Sequence, residues 1–157
     1  MRKRQYFVSS NNMQDLWKVI VNPNAGSGRG GREWDEISGL LTAAGIKFTS
    51  SVSRFKYNSI DLVRQAWEEG YRKFIAVGGD GTIHEVVSGI MSMDRSNPDA
   101  LLAVIPVGTG NDWGRVWGVT IDHRQAVDII AKGHTHVQDL AEVVCVRNGK
   151  ENTRFMA

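Results

Sequence analysis

Gly78-Gly79-Asp80-Gly81-Thr82 is the segment whose residue types most need a chemical explanation. It stands between an apolar run, Phe74-Ile75-Ala76-Val77, and a stretch with helical spacing. Its glycines would let backbone N–H groups approach anionic oxygens, and a helix N-terminus would add partial positive charge. A carboxylate in that position repels phosphate unless a divalent cation lies between them or it acts on a substrate hydroxyl. Asp80 is therefore a candidate for Mg²⁺ handling or for proton abstraction. Thr82 can cap the helix and offer its hydroxyl to a phosphate. The plainer reading is a glycine-rich turn whose Asp merely caps a helix, but three glycines around one Asp exceed what a turn needs.

A second loop, Pro106-Val107-Gly108-Thr109-Gly110-Asn111-Asp112, follows the apolar run Leu101 to Ile105 and again mixes glycines with hydroxyl, amide and carboxylate groups. Taken by itself, it reads equally well as a ligand loop and as a turn with an Asn or Asp cap before Trp113. A third loop, Asn22-Pro23-Asn24-Ala25-Gly26, follows Lys18-Val19-Ile20-Val21. The glycine run from Gly26 to Gly31 formally contains a dinucleotide-binding spacing. However, Asn22-Pro23-Asn24 separates it from the strand and no acidic residue ends the second strand, so that reading fails. A P-loop fails too, because Arg32-Glu33 stands where Lys-Ser/Thr is required. A flexible phosphate-covering loop and a surface linker both remain open for this run. His134-Thr135-His136 offers two imidazoles without a visible third ligand, which argues against a metal site. Trp17, Trp34, Trp67, Trp113 and Trp117 read as packing residues.

The elements that must hold these loops follow from periodicity. Apolar runs near 18–21, 46–52, 74–77 and 101–105 alternate with helical spacing at Trp34, Ile37, Leu40, Leu41 and Ala44, then at Ile60, Val63 and Trp67 from about Ser59, with Gly70 to end it. Helical spacing returns at Ile83, Val86, Val87 and Ile90 from Thr82 onward. The pattern predicts an α/β fold with a mostly parallel sheet and helices on both faces. Ligands of such sheets bind beyond the carboxyl ends of the strands, where the three loops should meet on one rim. A short helix with Val127 and Ile130 inward follows. Val143 to Val146 and Thr153 to Met156, separated by Asn148-Gly149, predict a β-hairpin. The expected division is a tail at 1–17, an α/β domain at 18–139 and a hairpin at 140–157.

The bulk numbers exclude other classes. With 157 residues, 41% hydrophobic, 23% charged and a net charge of +2, the chain reads as a folded domain without a long nucleic-acid footprint. The basic run Met1-Arg2-Lys3-Arg4 reads as a solvated tail. Cys145 is the single cysteine, so an internal disulfide is impossible and a reducing cytoplasm fits. No apolar stretch reaches the roughly 20 residues that span a bilayer, so membrane contact is expected to be peripheral.

Asn22-Pro23, the run Gly78 to Val87 and the loop Pro106 to Asp112, in this order and spacing, resemble the diacylglycerol kinase catalytic domain, which sphingosine kinases and bacterial lipid kinases share. The resemblance implies a nucleotide-binding fold related to those of NAD kinases and phosphofructokinases, followed by a β-rich second domain. It also implies an ATP-dependent lipid kinase that uses Mg²⁺ and a lipid with a free hydroxyl, such as diacylglycerol. Position by position, it implies that Asn22, Pro23, Gly78, Gly79, Asp80, Gly81, Thr82, Gly108, Thr109 and Gly110 line the ATP site. Glu85 and Asn111 would support the loops, Asp112 would fix the second loop, and Asp80 would be nearest the transferred phosphoryl group and the metal. Ser53, or its neighbour Ser51, would match a threonine that touches the nucleotide. His84 and Trp113 replace a common Asn and Phe. The family's Gly-Phe-Asp motif and lipid pocket belong to the second domain and are not in this sequence, so little turnover is expected of the chain by itself. A kinase of the NAD-kinase type and a non-catalytic nucleotide-binding module stand as alternatives; the form of the loop Gly108 to Asp112 argues against the first and Asp80 against the second.

Overall fold

The computed structural model describes residues 15–95, 99–108, 110–148 and 150–156. The tail at 1–14 and Thr109 fall outside the described residues. In chain order the elements are β1 (Trp17–Val21), α1 (Ala25–Arg32), α2 (Trp34–Ala43), β2 (Phe48–Val52), α3 (Asn58–Glu68), β3 (Lys73–Gly78), α4 (Asp80–Met93), β4 (Leu101–Pro106), α5 (Asp112–Val116), α6 (His123–Lys132), β5 (Ala141–Arg147) and β6 (Lys150–Met156).

The first four strands form one parallel sheet in the order β2-β1-β3-β4. Alternate side chains of a strand point to opposite faces, and here both faces are covered. Ile20, Phe74, Ala76 and Val104 pack with Val63 and Ala66 of α3 and with Ile83, Val86 and Ile90 of α4. Val19, Val21, Ile75, Val77 and Ile105 pack with Ile37 and Leu41 of α2 and with Ala126 and Val127 of α6. This is the expected α/β architecture, and burial on both faces explains the apolar runs of β1, β3 and β4, whereas the edge strand β2 has no buried residue.

The strand order also locates the site. From β1 the chain moves outward to β2, then returns past β1 to β3 and continues to β4. The winding reverses between β1 and β3, and a crevice opens beyond the carboxyl ends of strands at such a reversal. The residues that follow those two ends are Asn22-Pro23 and Gly79-Asp80.

Several boundaries differ from the periodic reading. β2 starts at Phe48 rather than Ile46 because Gly45 and Ile46 cap α2. Gly45 N–H donates to Thr42 (3.0 Å) and Ile46 N–H to Leu41 (3.1 Å), with Gly45 at φ 74°. This is the paired-bond termination that a left-handed glycine permits. α4 begins at Asp80, two residues before the expected start, with extended Gly79 as its N-cap. The glycine run after β1 is a wound segment, not a linker: Gly26, Ser27 and Gly28 take positive φ (58°, 58°, 86°) and lead into the last turn of α1. Glu33 then ties this segment to its neighbours. It accepts from Arg29 at 2.7 and 3.1 Å and lies 3.2 Å from the buried His123 Nε2, in ion-pair range without hydrogen-bond geometry. The hydrogen bond from Arg29 holds the Glu33 carboxyl below its ordinary range, against an opposing effect of burial.

β5 and β6 form the expected antiparallel hairpin, with Arg147 opposite Lys150 and Asn148 at φ 52°. Gly149 lies outside the described residues. Phe155 of β6 is buried in the core shared by α3 and α4.

The α3–α4 contact depends on Gly89. A Cβ there would lie 2.7 Å from Val63 Cβ and 3.1 Å from the Ile60 carbonyl oxygen. Gly89→Ala is therefore expected to destabilise the chain by about 1–3 kcal/mol, despite alanine's better helix propensity. Chemical denaturation would measure this, and an unchanged or raised midpoint would contradict such close packing.

Candidate functional site

The three loops converge because the parallel ladder continues past the strand ends. Asn22 N–H donates to Val77 (2.9 Å), Ser53 N–H to Val21 (2.8 Å) and Val107 N–H to Gly78 (3.1 Å). Asn22, Ser53, Gly78 and Val107 thus stand in line on one rim.

Asn22 is a joint between its own loop and the loop Gly78 to Thr82. Its Nδ2 donates to Thr82 Oγ1 at 3.0 Å, and its Oδ1 accepts the Asn24 N–H at 3.0 Å. Thr82 is 2% exposed, so its hydroxyl links β1 to α4 instead of capping the helix. Gly78 has no room for a side chain, because a Cβ would overlap Thr82 Oγ1. Pro23 accepts the Gly31 N–H at 3.0 Å, which folds the glycine run back over the end of β1.

The loops Gly78 to Thr82 and Pro106 to Asp112 meet where Gly79 and Gly108 touch: a Cβ on Gly108 would lie 3.0 Å from Gly79 Cα. Asn111 holds this loop in the left-handed conformation (φ 51°), with Nδ2 donating to the Gly108 carbonyl. Its Oδ1 is buried and has no hydrogen-bond partner among the described residues. A buried acceptor left open in this way calls for a donor from a ligand or water.

Asp80 sits where both glycine loops end. Its Oδ2 accepts the Asp112 N–H and its Oδ1 the Trp113 N–H, each at 3.2 Å. The carboxylate therefore caps α5 across the cleft, not its own helix, and it stabilises the positive end of α5. Gly110 lies beside it, since a Cβ there would be 3.1 Å from Asp80 Oδ2. Gly79 as N-cap leaves the N–H groups of Asp80 and Gly81 without partners inside α4, while those of Thr82 and Ile83 bond the Gly79 carbonyl. Gly81 faces open space. The arrangement presents backbone donors, a helix N-terminus and one carboxylate to the same gap.

Glu85 is turned away from the glycine loops. Its Oε1 accepts the Tyr57 N–H at 2.9 Å and its Oε2 the Ser59 N–H at 3.3 Å, so it supports the β2–α3 connection next to the buried Ser53. Asp112 points outward and pairs with Arg115 at 3.0 Å. No group of three or more His, Cys, Asp or Glu side chains suited to a metal occurs among the described residues. His136 instead stacks on Trp117, with ring centroids 5.6 Å apart. Two features went unread in the sequence: the cap of α5 by Asp80, and the left-handed Tyr57 held by Glu85. Neither has a local signal, because the partners are 32 and 28 residues apart.

With this geometry in view, comparison with known proteins is informative. The profile of the diacylglycerol kinase catalytic domain matches residues 16–143. A diacylglycerol kinase of Staphylococcus aureus (strain MRSA252) is 36% identical over 144 residues, covering 91% of this chain and 42% of that protein. One from Staphylococcus carnosus (strain TM300) is 31% identical over 143 residues, covering 91% and 43%. The crystal structure of a diacylglycerol kinase from Bacillus anthracis str. Sterne superposes with a TM-score of 0.64 at 26% identity, covering 88% of this chain and 45% of that one. The chain spans less than half the length of these relatives.

Proposed function

The chain belongs to the diacylglycerol kinase catalytic domain family, and from that premise we propose that it is the ATP-binding half of a lipid kinase, an enzyme that transfers the γ-phosphate of ATP to a lipid hydroxyl such as that of diacylglycerol. The observation that carries this reading is the meeting of Gly79 and Gly108 around the start of α4, with the Asp80 carboxylate at the same point. The N–H groups of Asp80 and Gly81 would receive phosphate oxygens, favoured by the helix N-terminus. Asn22 and Thr82 would fix the height of that helix against β1, and Asn111 Oδ1 would take a donor from the nucleotide or its water. Gly108 and Gly110 would form the opposite wall, Pro23 and the wound glycine run would close the side, and Ser53 would reach the nucleotide from β2.

The donor set suits Mg²⁺ in the manner usual for nucleotide enzymes, with one carboxylate beside phosphate and water oxygens, rather than a cage built from protein alone. Bound there, Mg²⁺ would neutralise charge on the transferring phosphoryl group. Each Asp80 oxygen already takes one N–H and keeps a lone pair for such a role. The protein's own contribution would be alignment: the loops would hold the phosphates in line with an incoming hydroxyl, and Asp80 would accept its proton. A β-rich second domain, of which β5 and β6 would be the first hairpin, would supply the lipid pocket. The chain by itself would then bind nucleotide with little turnover.

Calorimetry of ATP with and without Mg²⁺ tests the reading. Gly79 lies at φ −102° and has its nearest prospective neighbour at 3.6 Å, so Gly79→Val is expected to fold while filling the gap between the loops. ATP affinity should fall by at least about tenfold, since the backbone donors are covered. ATP bound equally well by Gly79→Val, or displaced by NAD, would remove the support for this site.

A further inference from the structure

The β2–α3 connection carries chemistry that the nucleotide reading leaves unused. Arg54-Phe55-Lys56-Tyr57 begins one residue beyond Ser53, on the same rim as Asn22 and Gly79. Phe55 is 65% exposed and Tyr57 42%, while Arg54 and Lys56 are also exposed and join no ion pair among the described residues. Lys56 Nζ lies 4.9 Å from the centroid of the Tyr57 ring.

The loop is built, not slack. Arg54 N–H donates to Asn58 Oδ1 (3.0 Å), Asn58 N–H to the Phe55 carbonyl (3.1 Å), and Glu85 accepts the Tyr57 and Ser59 N–H groups. Tyr57 is held at φ 69°, a left-handed conformation that suits glycine and disfavours a bulky side chain. Glu85 thus fixes the backbone of an exposed tyrosine in a conformation the residue type disfavours. Beneath the loop, a hollow of about 340 Å³ combines Val52, Phe55 and Leu62 with Arg54.

We propose that Arg54-Phe55-Lys56-Tyr57 is a docking finger for the surface of an anionic lipid bilayer. Aromatic rings settle at the headgroup level, and basic side chains are drawn to the negative potential of acidic lipids. The hollow is lined by Ser51, Arg54 and Asn58 beside Val52, Phe55 and Leu62, so it offers a guanidinium, a hydroxyl and an amide to a phosphate headgroup next to apolar side chains. The proposal deepens the lipid-kinase reading and rests on it, because a finger on this rim would bring lipid hydroxyls to the edge that carries Asp80.

Co-sedimentation of the chain with vesicles tests it, comparing phosphatidylcholine alone with a mixture containing about one third phosphatidylglycerol. Binding is expected only to the mixture and should weaken roughly tenfold in Phe55→Ser and in Lys56→Glu. Tyr57→Gly should weaken it too without lowering the melting temperature, a result that a merely structural role for Tyr57 would not give. Val116→Ser, at an exposed apolar position on α5, should bind as wild type does. Failure of the chain to bind the mixture, equal binding by the loop variants, or loss only when Arg2, Lys3 and Arg4 are neutralised would each overturn the assignment. ATP calorimetry on the same variants keeps the two readings separable, since none of them touches the glycine loops.

Discussion

On the lipid-kinase proposal, Asp80→Asn is expected to lower Mg²⁺-dependent phosphorylation of diacylglycerol on the order of 10³-fold, in an enzyme that carries this domain, while leaving it folded. The substitution keeps one oxygen and replaces the other with an amide that faces an N–H. One of the two bonds to the Asp112 and Trp113 N–H groups is thereby lost, and the start of α5 loses a negative charge. Such a cap is worth about 1 kcal/mol, or a melting temperature lower by about 2–4 °C for a chain of this size. A helix cap therefore explains a small loss of stability and almost none of a thousandfold loss of rate. Initial rates in mixed micelles, set beside calorimetric melting of the same protein, separate the two roles. If activity falls only in proportion to the folded fraction, Asp80 is a structural cap that holds the second loop to the first.

Those two roles also mark where sequence reasoning reached and where it stopped. The four sheet strands were legible to within two residues: β1, β3 and β4 because burial on both faces leaves an apolar signature that polar neighbours interrupt, and the half-exposed edge strand β2 because it lies between two helical stretches. The end of α3 was legible from Gly70, whose N–H donates to Trp67 while the following Tyr71 N–H donates to Ala66. The loops that gather at the rim were legible as types, since Gly-Gly-Asp-Gly after a buried strand has few uses. Their partners were not. Thr82 is tied to Asn22 from 60 residues away, so its hydroxyl could not be assigned from local spacing. α5 is five residues long and starts against a carboxylate on another element, which no helix periodicity records. Tyr57 offers no hint of a left-handed backbone, because the Glu85 carboxylate that holds it lies on α4. α1 was illegible for a related reason. Its glycines argue against a helix on propensity, and only contact with the end of β1 shows why they are there.

That contact yields a prediction of opposite sign at adjacent positions. Gly30 is buried, and a Cβ on it would overlap the Asn22 carbonyl oxygen and lie 3.5 Å from Pro23 Cα. Neither partner can retreat cheaply. Asn22 N–H is bonded to Val77, its carbonyl accepts the Ala25 N–H at 3.2 Å, and its side chain holds Thr82. Gly30→Ala must therefore push α1 off the strand end or break the joint that sets α4, at an expected cost of about 2–3 kcal/mol and a melting temperature lower by about 4–12 °C. ATP affinity should fall with it, because the start of α4 would shift. Gly31 is exposed, and a Cβ there would meet Pro23 at 3.4 Å, an ordinary contact. Gly31→Ala removes backbone freedom from the unfolded chain and favours the helix, so it should stabilise by about 0.5–1 kcal/mol. Thermal melts of the two variants and their ATP titrations decide the matter. A linker over the site would tolerate both substitutions alike, and equal behaviour would mean that the glycines serve mobility. Opposite signs would mean that Gly30 is required by distance, because the backbone that follows β1 is pressed against the backbone of α1.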